Sequence, residues 1–170
     1  MKSANCSLKP DELPVEDKYY KPDLEISDRF QAYSAELLRV SLAGVAAIGF
    51  FFDKLSQLLN FPQQFWGNFT VKGILILSLI SLATSSALAL LHRYLSSDSM
   101  AYHLAFIRLA RAAESENDEN RKNCLKARAG TEKKWRDRFF SACEILLGAS
   151  AFALGIGAFC LVIGFAYGLK

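Results

Sequence analysis

Two charges stand at the edge of otherwise apolar sequence: Arg39, just ahead of VSLAGVAAIGFFF, and Glu144, just ahead of ILLGASAFALGIGAFCLVIGFAYGL. A lone charge at the centre of a lipid-embedded helix costs about 2.5–3.5 kcal/mol, and less near the interface. Pairing a guanidinium with a carboxylate relieves part of that cost. The chemistry expected of Arg39 and Glu144 is therefore an intramembrane ion pair, within one chain or between subunits. Glu36 is a rival partner for Arg39 and Arg93 a rival for Glu144. Two charges that each snorkel separately to the headgroups are an equal alternative.

Ser78, Ser81 and Ser85 fall on one helical face, in line with Ala89 and His92, whereas Thr84 and Ser86 lie elsewhere. A row of hydroxyls leading to an imidazole could make a polar pathway. The same row suits hydrogen bonding across helices or back to the helix's own carbonyls, and that reading is favoured. His92 and His103, 11 residues apart, would stand about 16 Å apart on one helix, too far to ligate one ion. Cys6, Cys124, Cys143 and Cys160 are scattered and form no C-x-x-C pair, so free thiols are expected rather than a zinc site or disulfide framework. No Ser–His–acid set, metal motif or phosphate loop is present, and the expectation is a protein that is not an enzyme and holds no cofactor or metal.

Lys133, Lys134, Arg136 and Arg138 surround Trp135 just ahead of the last hydrophobic run. Basic residues near an anionic surface contribute about 1 kcal/mol each, so these four are candidates for lipid headgroups. Charge that merely sets topology is at least as good an account. Nucleic acid is not expected: net charge is only +3, Glu114, Glu116, Asp118 and Glu119 interrupt the basic residues, and no nucleic-acid-binding module is evident.

The elements that carry these residues are hydrophobic runs. The last, Phe139 to Leu169, contains an uncharged stretch of 25 residues from Ile145, longer than the roughly 18 that can cross a bilayer as a helix. Gly73 to Leu91 is a second, 19 residues without charge, ending in the interfacial pattern His92, Arg93, Tyr94. The first is shorter: its uncharged core, Val40 to Phe52, has 13 residues and is extended by Leu55, Leu58 and Leu59. Spans of about 37–59, 73–93 and 139–169 are predicted. Between the first two, Phe61, Phe65, Trp66 and Phe69 around Pro62 and Gly67 form an interfacial link or a re-entrant turn.

Residues 1–29, with Pro10, Pro14 and Pro22 and little periodic apolar content, read as an acidic, partly disordered tail, and residues 30–170 as a single helical membrane domain. Ser27 or Asp28 is the expected cap of a helix beginning near Phe30. Ser96 to Ser99 should interrupt the helix after span two, residues 114–120 should turn the chain, and Gly130 should weaken the helix that returns. The predicted fold is thus an all-α integral membrane protein with three transmembrane helices and a cytoplasmic helical hairpin, 96–138, between the second and third. No heptad long enough to claim a coiled coil is seen.

Eleven of the 20 Lys and Arg lie in 92–138 and two in 53–72, which places the hairpin in the cytoplasm, the N-terminus inside and Lys170 outside. The N-terminus offers neither a signal nor a transit pattern. A bacterial inner (plasma) membrane is the expected location. Span three carries two small-residue faces: Gly148, Ala151, Gly155 and Ala158 share the face of Glu144, while Ala149, Ala153, Gly157, Cys160, Gly164 and Gly168 lie nearly opposite. A helix with two close-approach faces is sandwiched between neighbours, so a homo-oligomer is expected.

The first span, second span and following helix resemble, in outline, the two-span effector proteins of bacterial defence systems. The third long span departs from that pattern, and no residue or activity is carried over from it. Two functions fit: a small oligomeric pore-forming, permeability or membrane-effector component, or a membrane-anchored adaptor holding a soluble cytoplasmic partner through its hairpin and tail. The lipid bilayer is a partner in either case.

Overall fold

The computed structural model describes residues 13, 20–58 and 69–168, which apart from Leu13 and Tyr20 and the connection 116–118 are entirely helical: α1 (Lys21–Leu58), α2 (Phe69–Ser115) and α3 (Glu119–Gly168). The expected link through Phe61, Phe65 and Trp66, Cys6, and residues 1–19 of the expected tail other than Leu13 lie outside the described residues. With 38, 47 and 50 residues the helices are about 57, 70 and 75 Å long at 1.5 Å per residue. A bilayer's hydrocarbon core is about 30 Å thick, so each helix is longer than a crossing needs. All three contain a window apolar enough, by length and composition, to cross a membrane.

Helix boundaries depart from the sequence expectation in four places, each with a local cause. α1 begins at Lys21 rather than near Phe30, with Leu24 N donating to Tyr20 O at 3.0 Å. Pro22 is harmless in a first turn, where its missing N–H would have had no partner, and Asp23 faces the positive helix end. Ser27, an expected cap, is instead a buried residue within the helix. α2 passes through Ser96–Ser99 without a break. Ser97 Oγ returns its proton to Tyr94 O at 2.7 Å, a local bond compatible with a continuing helix. α3 likewise runs through Gly130, whose cost of about 1 kcal/mol relative to alanine is small against a 50-residue helix. The turn narrows to residues 116–118. There Asp118 caps α3: its Oδ1 accepts from Asn120 N at 3.0 Å, and its carbonyl from Lys122 N at 2.9 Å.

The chain divides into two compact units, residues 1–31 with 93–144 and residues 32–92 with 145–170. The first unit is built on Leu109 and Ala113 of α2 and Leu125 and Ala129 of α3, with Phe106, Ala112 and Leu13 packed against them. Leu13 belongs to the stretch read as tail, so at least that residue is docked. Tyr102 stacks on Phe139 and Trp135 at centroid distances of 5.3 and 6.4 Å. In the second unit the buried apolar residues include Leu37, Ile48, Leu75, Leu82 and Ala89. Leu82 marks the closest approach of three helices. A methyl group added at Gly44 of α1 would stand 2.9 Å from its Cδ1, and one at Gly157 of α3 would stand 2.8 Å from its Cγ.

Buried positions recur with coiled-coil spacing along the helices. On α2 they are Leu75, Ser78, Leu82, Ser85, Ala89, His92, Ser96, Ser99 and His103, alternately three and four residues apart, with Ser86 and Met100 beside them. On α1 Ser34, Leu37, Ser41 and Ile48 fit the same register, and on α3 Cys143, Ser150, Gly157 and Gly164 are buried every seventh residue. Alternating 3–4 spacing is the pattern of helices that cross at small angles. Here the recurring residues are mostly serine, glycine, alanine and histidine.

Candidate functional site

Three α2 hydroxyls within the second unit, those of Ser78, Ser81 and Ser85, are aimed at α3. Ser78 Oγ donates to Gly157 O at 2.6 Å, Ser81 Oγ to Ala153 O at 2.8 Å and Ser85 Oγ to Ser150 O at 2.8 Å. Partner numbers fall as the serine numbers rise, so the two helix segments are antiparallel. Ser150 Oγ returns a bond to Ser85 O at 2.9 Å. Each hydroxyl has one proton. The reciprocal carbonyl bonds use both, which makes the 3.2 Å Ser85–Ser150 oxygen contact a consequence of packing rather than a further bond. Ser78, Ser85 and Ser150 are fully buried.

A second set ties α1 to α2. Ser41 and Ser86 hydroxyls lie 2.8 Å apart, with Leu38 O 3.0 Å from Ser41 Oγ and Leu82 O 3.1 Å from Ser86 Oγ. Whichever serine donates across the gap, the other passes its proton to its own helix. Thr84, off this seam, bonds Ile80 O at 2.8 Å. Small residues make the close approach possible: Gly157 abuts Leu82, and Gly164 abuts Leu75, whose Cδ2 would be 2.8 Å from an added methyl.

His92, the end of the candidate pathway, is only 2% exposed, and its Nδ1 has no hydrogen-bond partner among the described residues. Ser99 Oγ, in the other unit, is likewise unpartnered. The face of α3 that carries Glu144 presents a contrast to the packed face. Gly148 and Gly155 have open space where a Cβ would be, Ala151 is half-buried, and Ala158 and Glu144 are exposed; on the packed side Ala153 is half-buried and Gly157 and Gly164 are buried. Arg39 forms an ion pair with Glu36, one turn back on α1, the rival partner anticipated for it. Arg39 and Glu144 belong to different units.

The four cations ahead of the last apolar run divide. Lys133, Lys134 and Arg138 are exposed, whereas the Arg136 side chain is turned inward. Arg136 Nε and Nη2 donate to Asp137 Oδ1 at 3.0 and 2.7 Å, and its guanidinium lies 5.0 Å from the Phe106 ring centroid. Its Nη1 is 3.5 Å from His103 Nδ1, and His103 Nε2 is 2.7 Å from Asp23 Oδ2. An arginine can only donate, so Nδ1 accepts. The imidazole then holds its proton on Nε2 and donates to Asp23. This Asp23–His103–Arg136 chain, which joins all three helices inside the first unit, had no sequence signal, because its members are 80 and 33 residues apart.

Ser41 and Ser150 carried no sequence expectation, and Ser86, expected to lie off the serine face, bonds Ser41 of α1. Serines seven apart (27, 34, 41 and 78, 85) were the available clue. Cys124, Cys143 and Cys160 are free, and no cluster of three metal-ligating side chains occurs among the described residues. No protein-family model matches the chain, and comparison with characterised proteins and with solved structures returns no match.

Proposed function

We propose that the chain is a membrane-anchored, self-associating adaptor whose second unit forms the anchor and whose first unit, the helical hairpin of α2 and α3 with the start of α1, meets a soluble partner. The observation that carries this reading is the destination of the α2 hydroxyls. Ser78, Ser81 and Ser85 donate to α3 carbonyls, and Ser78 and Ser85 are fully buried, so these hydroxyls are read as bonds between helices rather than as the lining of a passage. The outward side chains of the anchor include Val40, Leu42, Ile76, Leu77, Ile80 and Phe152, a surface suited to acyl chains. The balance of Lys and Arg orients it with the hairpin and N-terminus in the cytoplasm and Lys170 outside.

Self-association is assigned to the outward face of α3. Ile145, Gly148, Phe152, Gly155, Phe159 and Val162 alternate at 3–4 spacing, large side chains being 65–72% exposed and both glycines open. A second copy could set its phenylalanines over these glycines, as knobs into holes. A permeability component is the second reading, favoured by one observation: the buried, unpartnered Nδ1 of His92 on the same seam as Ser78 and Ser85.

Ion flux through purified protein in vesicles, read beside a pull-down with the full chain as bait, separates the two. The adaptor reading expects no flux above protein-free vesicles and a stoichiometric soluble partner. Flux that changes on Ser85→Ala or His92→Gln would establish the permeability reading instead.

A further inference from the structure

The juxtamembrane turn of α3 carries more built structure than a charge that sets topology requires. Lys134 and Arg138, four residues apart, share one helical face, and Trp135 stands beside them. The Arg138 guanidinium lies over the Trp135 ring, 5.5 Å from its centroid. Trp135 in turn stacks with Tyr102 of α2, while Tyr102 also stacks on Phe139. The cation therefore rests on an aromatic platform anchored in two helices. Stacking on an aromatic face leaves the edges of the guanidinium, where its N–H donors lie, free for a planar or tetrahedral oxyanion.

Neighbouring charge is arranged to leave this face positive. Asp137 adjoins Arg138 in sequence, and Arg136 covers its Oδ1 with two donors. Lys133, Lys134 and Arg138 make no ion pair among the described residues, and all three are exposed. Phe139, the first residue of the long hydrophobic run, follows Arg138 directly.

From this arrangement we infer that Lys134 and Arg138, on the platform of Trp135 and with Lys133 beside them, bind the phosphate of an anionic membrane lipid. Arg136 is not part of the site; it serves the interior of the first unit. The occupant is a lipid headgroup because the donors adjoin an apolar run, so a phosphate bound there has a place for its acyl chains. Charge complementarity and the interfacial preference of tryptophan point the same way. This inference does not rest on the adaptor reading and holds for a permeability component as well.

Trp135 is itself the reporter. With Trp66→Phe, Trp135 is the remaining tryptophan. The full chain is reconstituted in phosphatidylcholine vesicles with a minority of phosphatidylglycerol, the bromine label placed high on the acyl chains of one lipid or the other. Brominated phosphatidylglycerol should quench Trp135 several-fold more, per molecule, than brominated phosphatidylcholine. Lys134→Gln and Arg138→Gln should each reduce that preference by up to about fivefold, the equivalent of the ~1 kcal/mol a basic residue contributes at an anionic surface. Lys126→Gln removes the same charge two helical turns from Lys134 and should leave the preference intact. Circular dichroism of each variant reports whether the helices persist. Equal quenching by the two lipids, an equal loss in Lys126→Gln, or displacement of the preference by inorganic phosphate would overturn the inference.

Discussion

Leu82 and the two glycines that embrace it give the most direct handle on single residues. Gly157→Ala places a methyl 2.8 Å from Leu82 Cγ and 3.2 Å from its backbone nitrogen, which cannot swing away. Overpacking of this kind costs about 1–3 kcal/mol. Gly155→Ala meets open space and should stabilise a single chain by up to about 1 kcal/mol, because alanine is the better helix former. Denaturant unfolding in mild detergent compares the two. The reciprocal Ser85–Ser150 bonds make a second prediction. Ser85→Ala and Ser150→Ala should couple, with a cycle energy near the 0.6 kcal/mol average for interhelical bonds in membranes and below about 1.7 kcal/mol. Much of this was legible beforehand: the face of Ser78, Ser81 and Ser85 and the small stripe through Ala153, Gly157 and Gly164 could both be read from helical phase. Their pairing could not, because phase within a helix carries no information on which carbonyl another helix brings opposite.

At the level of elements, three long helices could be read from hydrophobic runs, and their continuity could not. Serines at 96–99 and Gly130 are residues that break isolated helices, yet both α2 and α3 run through them. Tertiary burial outweighs propensity here: Ser96 and Ser99 lie on the buried 3–4 seam, and one glycine is a small cost to a long packed helix. The seam itself was hidden because a heptad is ordinarily recognised by leucine and isoleucine, and this one is written in serine, alanine and histidine. The outward face of α3 makes the prediction for this scale. In a background with the native cysteines replaced, Phe152→Cys and Phe159→Cys should form disulfide-linked dimers in oxidised membranes. Ser150→Cys, on the packed face, should not. Cross-linking at Ser150→Cys alone would place the subunit contact on the other side of the helix.

For the whole molecule, the division into two units separates most of the charge from most of the long apolar runs. The first unit holds most of the charged side chains, and its helices are fastened by Asp23, His103 and Arg136. Replacing His103 with alanine removes a buried ring and its bond to a half-exposed carboxylate, so a loss of about 1–3 kcal/mol is expected. It should be read as faster hydrogen exchange in Lys21–Gln31 with little change in the anchor. None of this cluster was visible in sequence, where Asp23 fell in a stretch taken for tail. The proposed role of the second unit as an anchor rests on one claim, that the α2 serines face protein rather than water. Thiol accessibility tests it most directly. Cysteines placed singly at Ser78, Ser81 and Ser85, in a background without native thiols, are exposed in intact vesicles to a small, charged, membrane-impermeant thiol reagent. The expected result is protection at Ser78 and Ser85 under conditions that label an exposed control at Ser97. Labelling of all three seam positions at rates near that control would show a water-filled path and contradict the structural role assigned to these hydroxyls.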